Sequence, residues 1–300
     1  MKFGTVALIG RPNVGKSSLI NALLKAHAVI ISPKPQTTRN SIRCIYNDAD
    51  AQIVFTDTPG LYKVKNSKDK LGIFLNDSIL EAVENSDAVL WLVDAEEKKL
   101  QPDDYAVAEL LNPSLPVILT VNKSDKADPS RVFKLYGELR NFTAKVAVCA
   151  KLNKGLDALM NALKPLIPEG GPLYDPEVLM DTTEKFMASE IIRETILMSL
   201  HDEVPHRVAV EIDEYKSPEE YPDRKKLYIR ASLITETEGQ KKILIGSGGE
   251  MIKKIGAQSR RAIEEATGLG VFLDLWVKVV PNWRRSQTAL RRLGYVPNVL

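Results

Sequence analysis

Short apolar runs recur along the first half of this chain at Val6–Ile9, Ile53–Thr56, Ala88–Val93, Pro116–Val121 and Lys145–Cys149. Their length and their Val and Ile content are those of strands buried on both faces. Between them, segments such as Lys16–Leu24 and Arg131–Arg140 space their apolar residues as crossover helices do. This alternation predicts a doubly wound, mostly parallel α/β sheet with helices on both faces. It stops at Lys164-Pro165-Leu166-Ile167-Pro168-Glu169-Gly170-Gly171-Pro172, with Pro176 close behind. Prolines and glycines crowded together mark a boundary, so the expected division is a first domain over 1–168, a linker over 169–180 and a second domain over 181–300.

Beyond that boundary the pattern changes. A helical segment near Thr182–Leu200 precedes two alternating segments, Arg207–Tyr215 and Lys226–Thr235. Two helical segments then flank Gly246–Gly249, and a last strand runs near Val271–Val279. The order helix–strand–strand–helix–helix–strand predicts a smaller α+β domain.

The chain has 300 residues, 44% hydrophobic and 27% charged, which suits two globular domains and no membrane span. The apolar start, Met1–Gly10, is too short for a signal sequence and reads as a buried strand. Cys44 and Cys149 lack metal-ligand spacing and suit a reducing cytoplasm. His27, His201 and His206 are scattered and read as structural, and Trp91, Trp276 and Trp283 as packing. The net charge of +2 hides an asymmetry: residues 239–300 carry 11 Lys and Arg against 4 Asp and Glu, which leaves the preceding 238 residues at −5. A basic end on a near-neutral chain suits a polyanion-binding module.

Gly10-Arg11-Pro12-Asn13-Val14-Gly15-Lys16-Ser17 fits G-x-x-x-x-G-K-[ST] between a predicted strand and a predicted helix. Such a loop turns backbone amides inward around phosphate oxygens, and the helix adds its positive end. Ser18 continues the loop into the helix. Lys16 is expected at the β- and γ-phosphates and Ser17 at Mg²⁺.

The base is read elsewhere. Asn122-Lys123-Ser124-Asp125 directly follows the strand Pro116–Val121, where a doubly wound sheet binds its ligand. The Asp125 carboxylate can accept from guanine N1–H and the N2 amino group. Adenine presents neither donor, so the pairing selects GTP and GDP over ATP. Lys123 can lie along the base and Asn122 can tie this loop to the phosphate loop. Asp57-Thr58-Pro59-Gly60 follows the strand Ile53–Thr56. There Asp57 is expected to hold Mg²⁺ through a water, and the Gly60 amide to meet the γ-phosphate. Of the threonines in Pro35-Gln36-Thr37-Thr38-Arg39, Thr38 is expected to complete the Mg²⁺ shell.

These motifs resemble those of the Era-type GTPases, within the TrmE–Era–EngA-like superfamily. The likeness rests on residues 10–17, Lys34–Arg39, Asp57–Gly60 and Asn122–Asp125. In the second half it rests on Glu203-Val204-Pro205-His206, Ile243–Gly249, Leu275-Trp276-Val277-Lys278 and Asn282-Trp283-Arg284. Cys149-Ala150-Lys151 stands where the family usually has a serine before the alanine, with the Ala150 amide expected at guanine O6. The resemblance implies a GTP-hydrolysing switch acting on the 3′ end of 16S rRNA in assembly of the 30S subunit. It also implies a K⁺ near Asn13, a monomer, and a cytoplasmic protein with at most peripheral association with the inner face of the cell membrane. Lys16, Thr38, Gly60 and Asn13 would carry the chemistry. A GTPase switch in another RNA-modification or signalling process is the alternative.

Gly246-Ser247-Gly248-Gly249 between two helices fits the G-x-x-G loop of KH domains, and the element order resembles the type II arrangement. There Lys253, Lys254, Arg260 and Arg261 are expected to attract phosphates. Ile245, Ile252 and Ile255 are expected to form an apolar floor for bases, although the helical spacing of Ile252, Ile255 and Ile263 equally suits core packing, the preferred reading for Ile263. Ser247 stands where many such loops carry a cation.

Overall fold

The computed structural model describes residues 1–32, 34, 37–61, 69–222 and 224–295, in two compact units: of the described residues, those up to 61 and 72–181 belong to the first, and 69–71 with those from 182 onward to the second. The first contains β1 (Lys2–Ile9), α1 (Lys16–Leu24), β2 (Ile42–Asn47), β3 (Ala51–Asp57), α2 (Lys70–Glu84, from Gly72 onward) and β4 (Ala88–Asp94). It continues through α3 (Pro102–Leu110), β5 (Val117–Asn122), α4 (Ser130–Gly137), β6 (Ala144–Ala147) and α5 (Leu156–Leu163). Six strands lie in the order β2-β3-β1-β4-β5-β6. All neighbours are parallel except β2, which runs antiparallel to β3. The apolar runs are buried: Ala88–Val93 is solvent-free throughout, and Trp91 meets the Tyr136 ring edge-on at 5.7 Å.

Parallel register decides where the site forms. Leu8 stands beside Asp57, and Asp94 beside Asn122. The last residues of β1, β3, β4 and β5 therefore reach one edge of the sheet together, and the loops that follow them converge there.

The antiparallel strand β2 is absent from the expected strands, because Arg43, Tyr46 and Asn47 interrupt its apolar positions. It sits at the sheet edge, and the stretch read as a linker lies along the first unit. Ile45 N–H donates to Leu179 O at 2.9 Å, Asp181 N–H to Arg43 O at 3.0 Å, and Gly170 N–H to Met1 O at 3.0 Å. The buried Gln52 fixes the middle: its Oε1 accepts from the amides of Leu173 (2.7 Å) and Tyr174 (2.9 Å), and its Nε2 donates to Tyr174 O (2.8 Å). Backbone hydrogen bonds hold this strap where apolar contact is thin, since Leu173 is 70% exposed.

The second unit comprises α6 (Glu184–Ser199), β7 (Ala209–Lys216), β8 (Leu227–Thr235), α7 (Glu238–Ile245), α8 (Glu250–Thr267), β9 (Val271–Val279) and α9 (Gln287–Arg292). Its sheet has the order β7-β8-β9, with β7 antiparallel and β9 parallel to β8. Thr183 caps α6 by accepting from Phe186 N–H, and Thr237 with Gln240 forms a capping box on α7. Ile192 and Ile196 of α6 and Ile255 and Ile263 of α8 share one core with Ile229 and Leu233 of β8. Trp283 is buried as expected. Trp276 is not a packing residue: it is 56% exposed, because it alternates on β9 to the solvent side of the sheet with Phe272.

Candidate functional site

Between β1 and α1 the chain turns back on itself. Gly10 adopts φ +143°, and a Cβ there would lie 2.3 Å from Leu92 O, so no other residue fits this approach. Asn13 follows at φ +64°, a left-handed conformation that asparagine tolerates better than most residues. The turn directs carbonyls toward the buried Lys16, whose Nζ donates to Gly10 O at 2.9 Å and to Arg11 O at 3.2 Å. Burial lowers the Lys16 ammonium to about 8, against an opposing pull from Asp57.

Ser17, Thr38 and Asp57 come together from α1, the loop before β2, and the end of β3. Ser17 Oγ donates to Asp57 Oδ2 at 2.6 Å, Thr38 Oγ1 donates to the same oxygen at 3.1 Å, and the two hydroxyls are 3.1 Å apart. Three hard oxygens at such spacing suit a small divalent cation. Thr37 instead bonds Lys34 O at 2.7 Å, so the structure separates the two threonines. Gly60 lies against Pro12, Thr58 and Pro59 are buried, and Leu61 packs on the apolar core. Pro33, Pro35 and Gln36 fall outside the described residues.

A cleft of about 840 Å³ continues from Asn13 and Ser18 to Asn122, Lys123, Asp125, Cys149, Ala150 and Lys151. Asn122 is its keystone: Nδ2 donates to Val14 O at 2.9 Å, and Oδ1 accepts from Ala150 N–H at 3.1 Å. The Ala150 amide expected at guanine O6 is therefore already engaged by Asn122. Lys123, at φ +61°, donates to Asn13 O at 2.9 Å and to Asp94 Oδ2 at 2.6 Å. The exposed Asp125 accepts from the Cys149 thiol at 3.0 Å, and this bond holds its carboxyl below the ordinary range.

Two features of the site lie outside the sequence expectations. Asp94 holds Lys123, and its place at the end of the apolar run Ala88–Val93 was the available signal. The Arg11 side chain, expected among the nucleotide contacts, is instead taken up by Glu97 and Asp104.

In the second unit, Gly246 takes φ +74°, and a Cβ there would meet Met251 Cβ at 2.7 Å. Gly248 and Gly249 also have positive φ but face open space. Lys253, Lys254 and Arg261 are exposed along α8, while Arg260 is paired with Glu264 at 2.9 and 3.1 Å. Ile245 and Ile252 are partly exposed. Ile255 is fully buried and cannot be part of a floor for bases. The helical period turns it onto the core, where a side chain of its size contributes about 2 kcal/mol.

Residues 5–123 match the family described as 50S ribosome-binding GTPase, and residues 203–284 match the KH domain family. GTPase Era of Lacticaseibacillus paracasei is 42% identical over 97% of this chain and 96% of its own, and that of Halothermothrix orenii is 39% identical over 98% of both. The chain belongs to the Era family of GTPases. Two solved Era structures have the same fold along the whole length. A single-substitution variant of Aquifex aeolicus Era bound to GDP·AlF4⁻ matches with TM-score 0.91 and 36% identity, covering 99% of this chain and 100% of that one. Era in complex with MgGDPNP and nucleotides 1506–1542 of 16S ribosomal RNA matches with TM-score 0.92 and 37% identity at the same coverage.

With Lys16 at the phosphates, as its motif predicts, its burial is expected to make nucleotide binding depend on pH. Burial lowers the Lys16 ammonium to about 8, and phosphates bound beside it would favour the ammonium and raise it again. Binding then takes up a proton above pH 8, so affinity falls there with rising pH and is insensitive to Lys16 below it. Calorimetric titration with GDP should show Kd weakening by up to roughly tenfold per pH unit above about pH 8. A flat profile to about pH 9.5 would remove the assignment of a neutralisable lysine at the phosphates.

Proposed function

We propose that this GTPase binds GTP and GDP at residues 10–17 with Mg²⁺, and that its second unit binds the 3′ end of 16S rRNA during assembly of the 30S subunit. The observation that carries this reading is the pairing, in one chain, of the Asn122–Asp125 base loop with the Gly246–Gly249 loop. The Era complex with MgGDPNP and 16S nucleotides, similar along the whole length, supports it. We take the domains to divide at the Asp181–Thr182 boundary. We take the protein to act in the cytoplasm as a monomer, with any membrane association peripheral.

Ser17 and Thr38 would hold Mg²⁺ directly and Asp57 through water, and the ion would neutralise charge on the β- and γ-phosphates. Lys16 would donate to the same oxygens, and the Gly60 amide would meet the γ-phosphate. Loss of that phosphate would remove the partner of Gly60 and so release its segment. Ras uses a Gln after its equivalent glycine to orient water; Leu61 has no hydrogen-bonding group and packs inward. A cation near Asn13 would stabilise the developing charge in its place. In the second unit, the exposed glycines admit an RNA backbone, and Lys253, Lys254 and Arg261 supply phosphate contacts.

Asp125→Asn presents an amide donor where guanine also presents donors, so preference should pass from GDP to xanthosine diphosphate. Competition binding decides it, and retained GDP preference rejects the base-reading assignment. Turnover should be faster in K⁺ than in Na⁺, and Asn13→Ala should abolish the difference. Equal rates in the two salts would sink the role given to Asn13.

Gly248→Asp with Gly249→Asp, at the two glycines that face open space, should abolish binding of single-stranded 16S 3′-end RNA to the full chain while leaving GDP affinity unchanged. Replacing Lys253 and Lys254 by Ala should weaken RNA binding more evenly. It should also flatten the log–log salt dependence by roughly one unit per lost phosphate contact. RNA affinity that survives the glycine substitutions would move the interface away from this loop.

A further inference from the structure

The phosphate loop is held by a circuit that begins and ends within it. Arg11 Nη2 contacts Glu97 Oε2, and Arg11 Nε lies 3.4 Å from Asp104 Oδ1. Glu97 N–H donates to Asp94 O at 3.1 Å, Asp94 Oδ2 accepts from Lys123 Nζ at 2.6 Å, and Lys123 Nζ donates to Asn13 O at 2.9 Å. The circuit thus returns to the loop two residues from where it left. Asp104 is an unusual anchor. It is 0% exposed, and its other oxygen accepts from Gln101 N–H at 2.8 Å to cap α3. Arg11 is its nearby cation, and the buried Tyr136 phenol, raised by burial and then by Asp104, closes the pocket.

A solvated surface pair would contribute little and could be lost without consequence. This pair is different because its loop is conformationally costly. Asn13 sits at φ +64°, which asparagine tolerates at modest cost, but Gly10 before it turns at φ +143° beneath Leu92 O, so the arc between them holds its shape only with outside restraint. Lys123 restrains Asn13 from one side, and Arg11 restrains the two-residue arc leading to it from the other.

We propose that Arg11 is a positioning residue that governs nucleotide residence: its guanidinium, clamped by Glu97 and Asp104, keeps the Arg11–Asn13 arc in its binding shape. The inference rests on the nucleotide occupying this loop. Failure of wild-type protein to bind GDP would reject that reading and not this one. Because the arc belongs to the loop that would cradle the phosphates, the change lies in dissociation more than association.

The test is stopped-flow release of fluorescently labelled GDP, with thermal melting measured in parallel. Arg11→Gln should release GDP about tenfold faster or more and should also melt lower, since it leaves the buried Asp104 carboxyl without its cation. The double variant Arg11→Gln/Asp104→Asn removes that stranded carboxyl. It should recover most of the melting temperature yet keep the fast release. Release within about twofold of wild type in either variant overturns the proposal and leaves Arg11 a purely structural ion pair. If Arg11→Gln fails to fold, the double variant decides. If both fail, Arg11→Lys decides, since it keeps the charge but loses the fork that reaches both carboxylates; fast release supports the proposal and wild-type release overturns it.

Discussion

An ammonium taken out of water costs several kcal/mol unless protein atoms replace its hydration, and the first unit is arranged around meeting that cost for Lys16. The replacement oxygens are the carbonyls of Gly10 and Arg11. They can face the lysine because the chain turns inward beneath Leu92 O, a path closed to any residue with a Cβ. Such a turn would not hold itself. Asn122 bonds Val14 O, Lys123 bonds Asn13 O, and both belong to a strand end brought alongside by parallel register. The sheet topology, the base loop and the phosphate loop are thus consequences of one another.

The second unit uses positive-φ backbone for a different purpose. Gly246 is pressed against Met251 and serves packing, whereas Gly248 and Gly249 leave their surroundings open. One end of the loop is therefore rigid and the other accessible, which suits a partner whose own backbone must come close. The cations on α8 are unequal in the same way: Lys253 and Lys254 are exposed, while Arg260 is engaged by Glu264.

Much of this was legible in the sequence because local pattern and chemistry agreed. Lys16–Leu24 and Val271–Val279 appear with the expected bounds, since each combines clear periodicity with a glycine beside it. The convergence of Ser17, Thr38 and Asp57 followed from motif spacing. What escaped was decided by distant partners. β2 has polar interruptions and becomes a strand because β3 offers an antiparallel edge. Arg11 sits in a nucleotide motif, yet its side chain goes to carboxylates more than 80 positions away. Ile255 and Ile252 have the same composition and differ only in which way α8 turns them. Trp276 gave no sign of exposure because aromatic residues in strands are more often packed than solvated.

The strap of residues 169–181 bears on where this chain can be cut. Its prolines and glycines invite division after Pro168, yet that cut would leave the Ile45 amide and the Arg43 carbonyl of β2 facing solvent along an open sheet edge. It would also strip Gln52, a 0% exposed amide, of its backbone partners. An uncovered strand with a stranded polar group beneath it is a template for intermolecular pairing. Poor solubility of such a fragment would report a missing cover strand and not a weak nucleotide domain. Hydrogen bonds to β2 run as far as the Asp181 amide, so a fragment that keeps its cover strand ends there.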